Sequence, residues 1–311
     1  MLVSICIPTY NNAAALKRCL DSIVSQDFTN YEIVISDDSD NNEVEVLLKQ
    51  YDFKKLAYYK NIIALGSPEN WNNAMRKADG SYIKILHHDD YFATKDALSK
   101  FVLSLENNAD ASFAFCYTRV HFKKDNSFFV HKQTSAQLKR LNAGPEFLFF
   151  RNVIGAPSAV FFRNDKVTLF DANYKWLVDV DFYIQYLEKN PQFVHIPEPL
   201  VIVTDGEAGQ ITQSVANDKK LVITENISLF QKIYIPTLNT KKSYLFFQEL
   251  FVRFSIDSFE VLEKEFNVPE SLRDFFKETF NDLKKNVLLK KIKKRLLTSR
   301  YNKLIFKIER F

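Results

Sequence analysis

The sequence predicts an α/β fold, with a mixed, mostly parallel sheet, flanking helices and a C-terminal helical region. Three observations carry this. Short apolar runs alternate with helix-spaced patterns through about the first 118 residues. Polar clusters follow the first, second and fourth of those runs. From about Lys219 onward the pattern reads as wholly helical.

Taken in order, Leu2–Ile7 reads as a buried strand ended by Pro8. Ala13–Val24 places Leu16, Leu20 and Ile23 on one helical face. Glu32–Ser36 is the second strand, Glu43–Gln50 a helix, and Ala57–Lys60 the third strand. A helix over Asn70–Ala78 stops at Asp79-Gly80, and Tyr82–Leu86 is the fourth strand. Ala97–Glu106 is a helix and Ala111–Tyr117 a strand. Arg119–His131 reads as a hairpin turning at Lys124-Asp125-Asn126. A helix near Pro145–Arg151, a strand over Pro157–Arg163 and a helix over Val178–Glu188 follow. Gln192–Ile196 and Leu200–Thr204 flank a proline turn. The expected organisation is one body over residues 1–217, with halves at about 1–118 and 119–217, and a helical region over 218–311.

Composition excludes several classes. The chain has 311 residues and a net charge of only +4, too mild for a nucleic-acid binder. Its six glycines form neither G-x-G-x-x-G nor a P-loop. Cys6, Cys19 and Cys116 fall in apolar or helical patterns and read as buried thiols in a reducing compartment. The N-terminus lacks the basic and apolar regions of a signal peptide, and no run reaches the roughly 18 apolar residues of a membrane span. The expected location is the cytoplasm.

In open α/β sheets the ligand crevice lies at the carboxyl ends of the strands. The clusters PTYNN, DDSD and HHDD all fall there, so they converge on one crevice. Four motifs in chain order, PTYNN (Pro8–Asn12), EIVISDDSD (Glu32–Asp40), ADGSYIKILHHDDYF (Ala78–Phe92) and KWLVDVDFYIQYL (Lys175–Leu187), resemble family 2 glycosyltransferases over about residues 1–215.

The resemblance implies a GT-A fold, a Rossmann-like nucleotide-binding architecture, and an inverting transferase using a nucleotide-diphosphate sugar, usually of UDP. It places Pro8, Thr9 and Tyr10 at the base and ribose, and Asp38 at the base, with Asp37 as the alternative. Asn70 and Asn73, on one helix face, border the nucleotide together with His88 and Asp89. Asp89 and Asp90 are the implied ligands of Mn²⁺ or Mg²⁺, since hard cations take oxygen donors. His87 stands where the family has its first aspartate, either as a ligand or touching only the ribose. The implied catalytic base is Asp179, with Asp181 as second choice, and Val178 replaces the usual Glu. Trp176 and Asp181 are the candidate acceptor contacts. Gln210, Thr212 and Ser214 lie in a segment that relatives close over the diphosphate. The processive-synthase motif Gln-x-x-Arg-Trp is absent.

The stretch 284–311 carries eleven Lys or Arg against one acid, Glu309, with apolar residues between them. It reads as an interfacial membrane helix suited to a lipid-linked acceptor, or as a helix packed on the body or on a homo-oligomer partner. The expected partners are therefore a nucleotide-sugar donor and a glycan or lipid-linked acceptor. A rival reading is a degenerate module that binds nucleotide without turnover.

Overall fold

The computed structural model describes residues 3–285, apart from 208–209, 211–214, 235–237 and 239. Thr212, Ser214 and, beyond its first two positions, the basic stretch 284–311 lie outside the described residues. Two compact units divide the chain, residues 1–211 and 212–311.

The first unit is a nine-stranded sheet with helices. Its elements are β1 (Val3–Thr9), α1 (Ala13–Val24), β2 (Tyr31–Asp37), α2 (Glu43–Leu48), β3 (Leu56–Lys60), α3 (Glu69–Arg76), β4 (Tyr82–Ile85), β5 (Tyr91–Phe92) and α4 (Ala97–Glu106). Then come β6 (Phe113–Phe122), β7 (Ser127–His131), α5 (Ser135–Ala143), α6 (Phe147–Phe150), β8 (Val160–Arg163), α7 (Val178–Lys189) and β9 (Phe193–Asp205). The order is β3-β2-β1-β4-β8-β6-β9-β5, with β7 paired to β6. β3, β2, β1 and β4 are parallel, and β6 runs parallel to β9. β8 is antiparallel to both β4 and β6. All of β1 is buried, which explains its unbroken apolar run. α1 turns Ala15, Leu16, Cys19, Leu20 and Ile23 into the core, and Asn12 caps it by accepting from Ala15 N–H at 3.0 Å.

Two expectations need correcting, and two elements are new. Pro8 does not end β1, which runs on to Thr9. Leu86 N–H donates to Cys6 O and Asp38 N–H to Thr9 O, so Pro8 faces the β4 side. β4 stops pairing at Cys6–Ile85, and Pro8's missing N–H costs no ladder bond. β9 is one strand rather than two, because register shifts opposite Cys116–Thr118 absorb Pro197 and Pro199. The capping-box helix α5, held by Thr134 and Gln137, and the short β5 were not foreseen.

The second unit is helical: α8 (Lys219–Ile233), α9 (Lys241–Arg253), α10 (Phe259–Glu265) and α11 (Arg273–Lys285). Asp218, Thr240 and Ser258 cap the first three. Its core holds Phe230, Phe247, Phe251, Phe275, Phe276 and Phe280, in ring pairs such as Phe251–Phe280 at 4.9 Å. Among the described residues no helix is long and apolar enough to cross a membrane. All three cysteines are buried, free thiols.

Candidate active site

The site forms where β1, β2 and β4 end side by side. β1 delivers Pro8, Thr9 and Tyr10. Thr9 is buried and its hydroxyl has no hydrogen-bond partner, while Tyr10 is 51% exposed. An orphaned hydroxyl beside an open ring is what a bound polar ligand would complete.

β2 ends in two carboxylates with different surroundings. Asp37 is fully buried and accepts from Ser39 N–H and Oγ, Tyr58 OH and Lys60. Asp38 accepts from Asn61 Nδ2 and Leu65 N–H on Oδ1, and from Gly66 N–H at 2.8 Å on Oδ2. It therefore shapes the 61–66 turn, in which Gly66 has φ +72°. Asn70 and Asn73 do share a face, and both meet Asn61 at 3.1 Å. Asn70 also donates to Thr9 O and Asn73 to Ser36 Oγ, so the two asparagines tie α3 to the ends of β1 and β2.

β4 leads into His87-His88-Asp89-Asp90. His88 Nδ1 lies 3.2 Å from Pro8 O. Donor atoms of His87, Asp89 and Asp90 all lie within 4.8 Å of one another. Burial holds the His87 imidazole down at about 4, against the pull of Asp89, so the ring is neutral at pH 7. Its shielded Nε2 has no partner, and the ring packs 4.5 Å from Trp71. Burial and then the Asp89 charge push the Asp90 carboxyl well above its ordinary range. Two crowded carboxylates and an unpartnered imidazole nitrogen fit a divalent cation, which would reverse that mutual repulsion. His87, left open by the sequence, belongs to this donor set.

The cluster rests on residues to which the motifs assign no supporting role. Thr204 donates its hydroxyl to Asp89 O at 2.6 Å and its N–H to Asp90 Oδ1 at 3.0 Å. Gln210 donates to Asp89 Oδ2 at 2.8 Å. Ser158 Oγ accepts from His87 N–H. Buried Lys84 donates to the Ser158 and Val160 carbonyls and lies 4.6 Å from the Phe101 ring centre. Burial pulls its pKa down to about 8, opposed in part by Asp90. Glu207 accepts from Asn12, Arg18 and Lys123, pinning the chain after β9 over α1. Lys84 lies within the third motif and Gln210 in the segment expected over the diphosphate, whereas no local spacing flags Ser158 or Thr204, which segments distant in sequence bring to the cluster.

α7 separates its two acids as the helical period requires. Asp179 is half-exposed and accepts from Asn152 Nδ2 and Val180 N–H, both at 2.8 Å. Asp181 is 1% exposed and accepts from Gln185. Asp181 lies on the buried face of α7. Trp176 is half-exposed just before the helix.

An uncharacterised glycosyltransferase of Rickettsia typhi is 26% identical over 221 residues, covering 70% of this chain and 67% of that protein. The fold resembles Staphylococcus aureus TarS 1–349 in complex with UDP-GlcNAc, with a TM-score of 0.56 and 15% identity over 97% of this chain and 92% of that one. This chain spans 52% of the longer TarS chain. A mannosyltransferase of Pyrobaculum calidifontis, in complex with GDP-Man and Mn²⁺, has a TM-score of 0.54 and 16% identity, over 75% of this chain and 65% of that one. These neighbours share the GT-A fold. The family model described as glycosyl transferase family 2 matches residues 4–170, more than half of the sequence, and the chain belongs to that family.

Proposed function

We propose that this chain moves a sugar from a nucleotide-diphosphate sugar, first of all a UDP-sugar, to an acceptor hydroxyl with inversion, in the building of a bacterial surface polysaccharide or other glycan. The observation that carries this is the convergence of the His87–Asp89–Asp90 donor set with the orphaned Thr9 hydroxyl at adjacent strand ends. The UDP-GlcNAc and GDP-Man complexes of the fold neighbours support the donor class, and the Mn²⁺ of one supports the metal. We divide the catalytic body into a donor half, about 1–118, and an acceptor half, about 119–217, with 218–311 as an accessory helical region.

Pro8, Thr9 and Tyr10 receive the nucleoside. Asp38 already takes three donors, and a carboxylate offers about four acceptor sites, which leaves one for a base imide N–H. Asn70 and Asn73 act through Asn61 and hold that surface in place, while His88 and Asp89 lie toward the ribose. Asp89, Asp90 and His87 would hold Mn²⁺ or Mg²⁺, which supplies Lewis-acid stabilisation of the departing diphosphate. Asp179 takes the proton of the acceptor hydroxyl, oriented by Asn152, with Trp176 as a platform for the acceptor sugar. The test is a thermal-shift screen of nucleotide diphosphates and their sugars with and without Mn²⁺, then NMR of the product anomer. Ligand at 100 Kd stabilises by about 2.7 kcal/mol. No metal-dependent shift with any nucleotide would favour the degenerate-module reading.

A further inference from the structure

The charge of the first unit is unevenly placed. Residues 1–211 carry 22 Lys or Arg against 26 Asp or Glu. Within them, residues 119–151 carry seven against two, and the rest of the unit 15 against 24. Lys123 is paired with Glu207. Arg119, Lys124, Lys132, Lys139, Arg140 and Arg151 are all exposed, and among the described residues none has a carboxylate partner. Unpaired cations concentrated in one segment of an otherwise acidic body favour an anion along it.

The surface is built as well as charged. The Arg119 guanidinium lies 4.0 Å from the Phe128 ring centre, and His121 stacks on Phe128 at 4.5 Å and 10°. His121 Nε2 is fixed by Asn126 Oδ1 at 2.8 Å, and Phe128 is 42% exposed. Stacking holds the guanidinium plane and leaves its N–H fork for an oxyanion.

The register gives the direction this surface faces. Arg119 pairs with Val130 and His121 with Phe128, so these four share one face of the β6–β7 hairpin. Phe113, on the same alternation of β6, packs on Tyr183 and Tyr186 of α7. The far end also reaches α7. A Cβ on Gly155 would sit 3.3 Å from His131 Nδ1, and Gly155 O accepts from Asn152 and Tyr183. Arg151 directly precedes Asn152, the partner of Asp179.

We propose that this strip binds a polyanionic acceptor, a phosphate-bearing polyol or glycan chain whose repeating charges follow Arg119 to Arg151 while one hydroxyl reaches Asp179. The proposal rests on the reading of Asp179 as the acceptor-side base. The strip selects the acceptor by its backbone charge and leaves the choice of hydroxyl to the pocket.

The experiment measures binding of a fluorescent glycerol-phosphate oligomer to the full chain by anisotropy, with a neutral maltodextrin of equal length as control. The oligomer should bind, and weaken steeply as salt rises. The double variant Arg119→Glu/Lys132→Glu should bind at least about tenfold more weakly. Arg119→Gln/Lys132→Gln should lie between, and it serves if the charge reversal fails to fold. Equal binding of the neutral oligomer overturns the proposal, and so does an unchanged affinity in a folded double variant. Tighter binding of anionic vesicles or single-stranded RNA than of the oligomer also overturns it. Nucleotide binding with Mn²⁺, followed separately, shows whether the donor reading fails instead.

Discussion

The Asn152 amide donates to Asp179 Oδ2 at 2.8 Å while the Val180 N–H holds Oδ1, so the half-exposed acid at the start of α7 is fixed from both sides. The same amide donates to Gly155 O, and Gly155 N–H returns a bond to Asn152 Oδ1. This cradle orients the carboxylate without burying it. Asp179→Asn should lower kcat by about 10²–10⁴-fold, the usual share of general-base catalysis, with nucleotide affinity unchanged. Asn152→Ala leaves the acid in place but loose, so kcat should fall by up to about 10²-fold. Near-normal turnover by Asp179→Asn, measured with a competent donor and acceptor, would remove Asp179 from the mechanism.

The metal cluster makes a second prediction. Thr204 braces the cluster twice, by its hydroxyl to the Asp89 backbone carbonyl and by its N–H to the Asp90 carboxylate. Thr204→Val keeps the shape and the N–H and removes only the hydroxyl bond. Loss of such a supporting contact typically costs about 10–100-fold in metal affinity. Titration of the purified chain with Mn²⁺, followed by electron paramagnetic resonance, should show a loss near the low end of that range. His87→Ala removes the unpartnered ring nitrogen itself and should cost at least as much. Equal Mn²⁺ affinity in the His87 variant would return the site to the two aspartates alone.

Lys84 makes stability depend on pH. Its pKa falls from 10.5 to about 8 on folding, because burial disfavours the charged ammonium. Between those values the unfolded chain binds more protons, so stability rises with pH there. The contribution is fully present above about 10.5 and is lost as pH falls through about 8. Relative to Lys84→Met, the wild type should gain about 3 kcal/mol of unfolding free energy between pH 7 and pH 10.5. Urea melts of both proteins at the two pH values measure this. A parallel pH response in the two would show that the ammonium stays charged.

The sequence announced what is local. α1 and α4 begin and end at the expected residues because amphipathic spacing is written within one helix. The strand-end clusters could be placed because a parallel sheet brings its carboxyl ends together. Hidden was whatever depends on pairing between distant segments. Pro8 looked like a stop until β4 proved to end first, and the prolines of β9 looked like a break until a bulge took them up. Asp181 stood second to Asp179 in the sequence, and α7 turns it to the core while Asp179 meets Asn152. Thr204, Asn152 and Glu207 sit in no motif, since their partners lie 115, 27 and 195 residues away.

The two acids at the end of β2 provide the last prediction, because their surroundings assign them different work. Asp37 faces inward, with Ser39, Tyr58 and Lys60 on its oxygens. Asp38 instead takes the Leu65 and Gly66 N–H groups of the turn beside the nucleoside position. Asp37→Asn should therefore destabilise the fold, by about 1–3 kcal/mol for a buried group deprived of its partner, and leave UDP affinity intact. Asp38→Asn places an NH₂ against N–H donors, so the turn cannot keep both ends. It also removes the acceptor for a base imide, a charged hydrogen bond worth about 1.5–3 kcal/mol. UDP affinity should fall at least about tenfold by calorimetry, with stability reduced as well. The reverse pattern, in which Asp37→Asn loses UDP and Asp38→Asn keeps it, would move base recognition to Asp37.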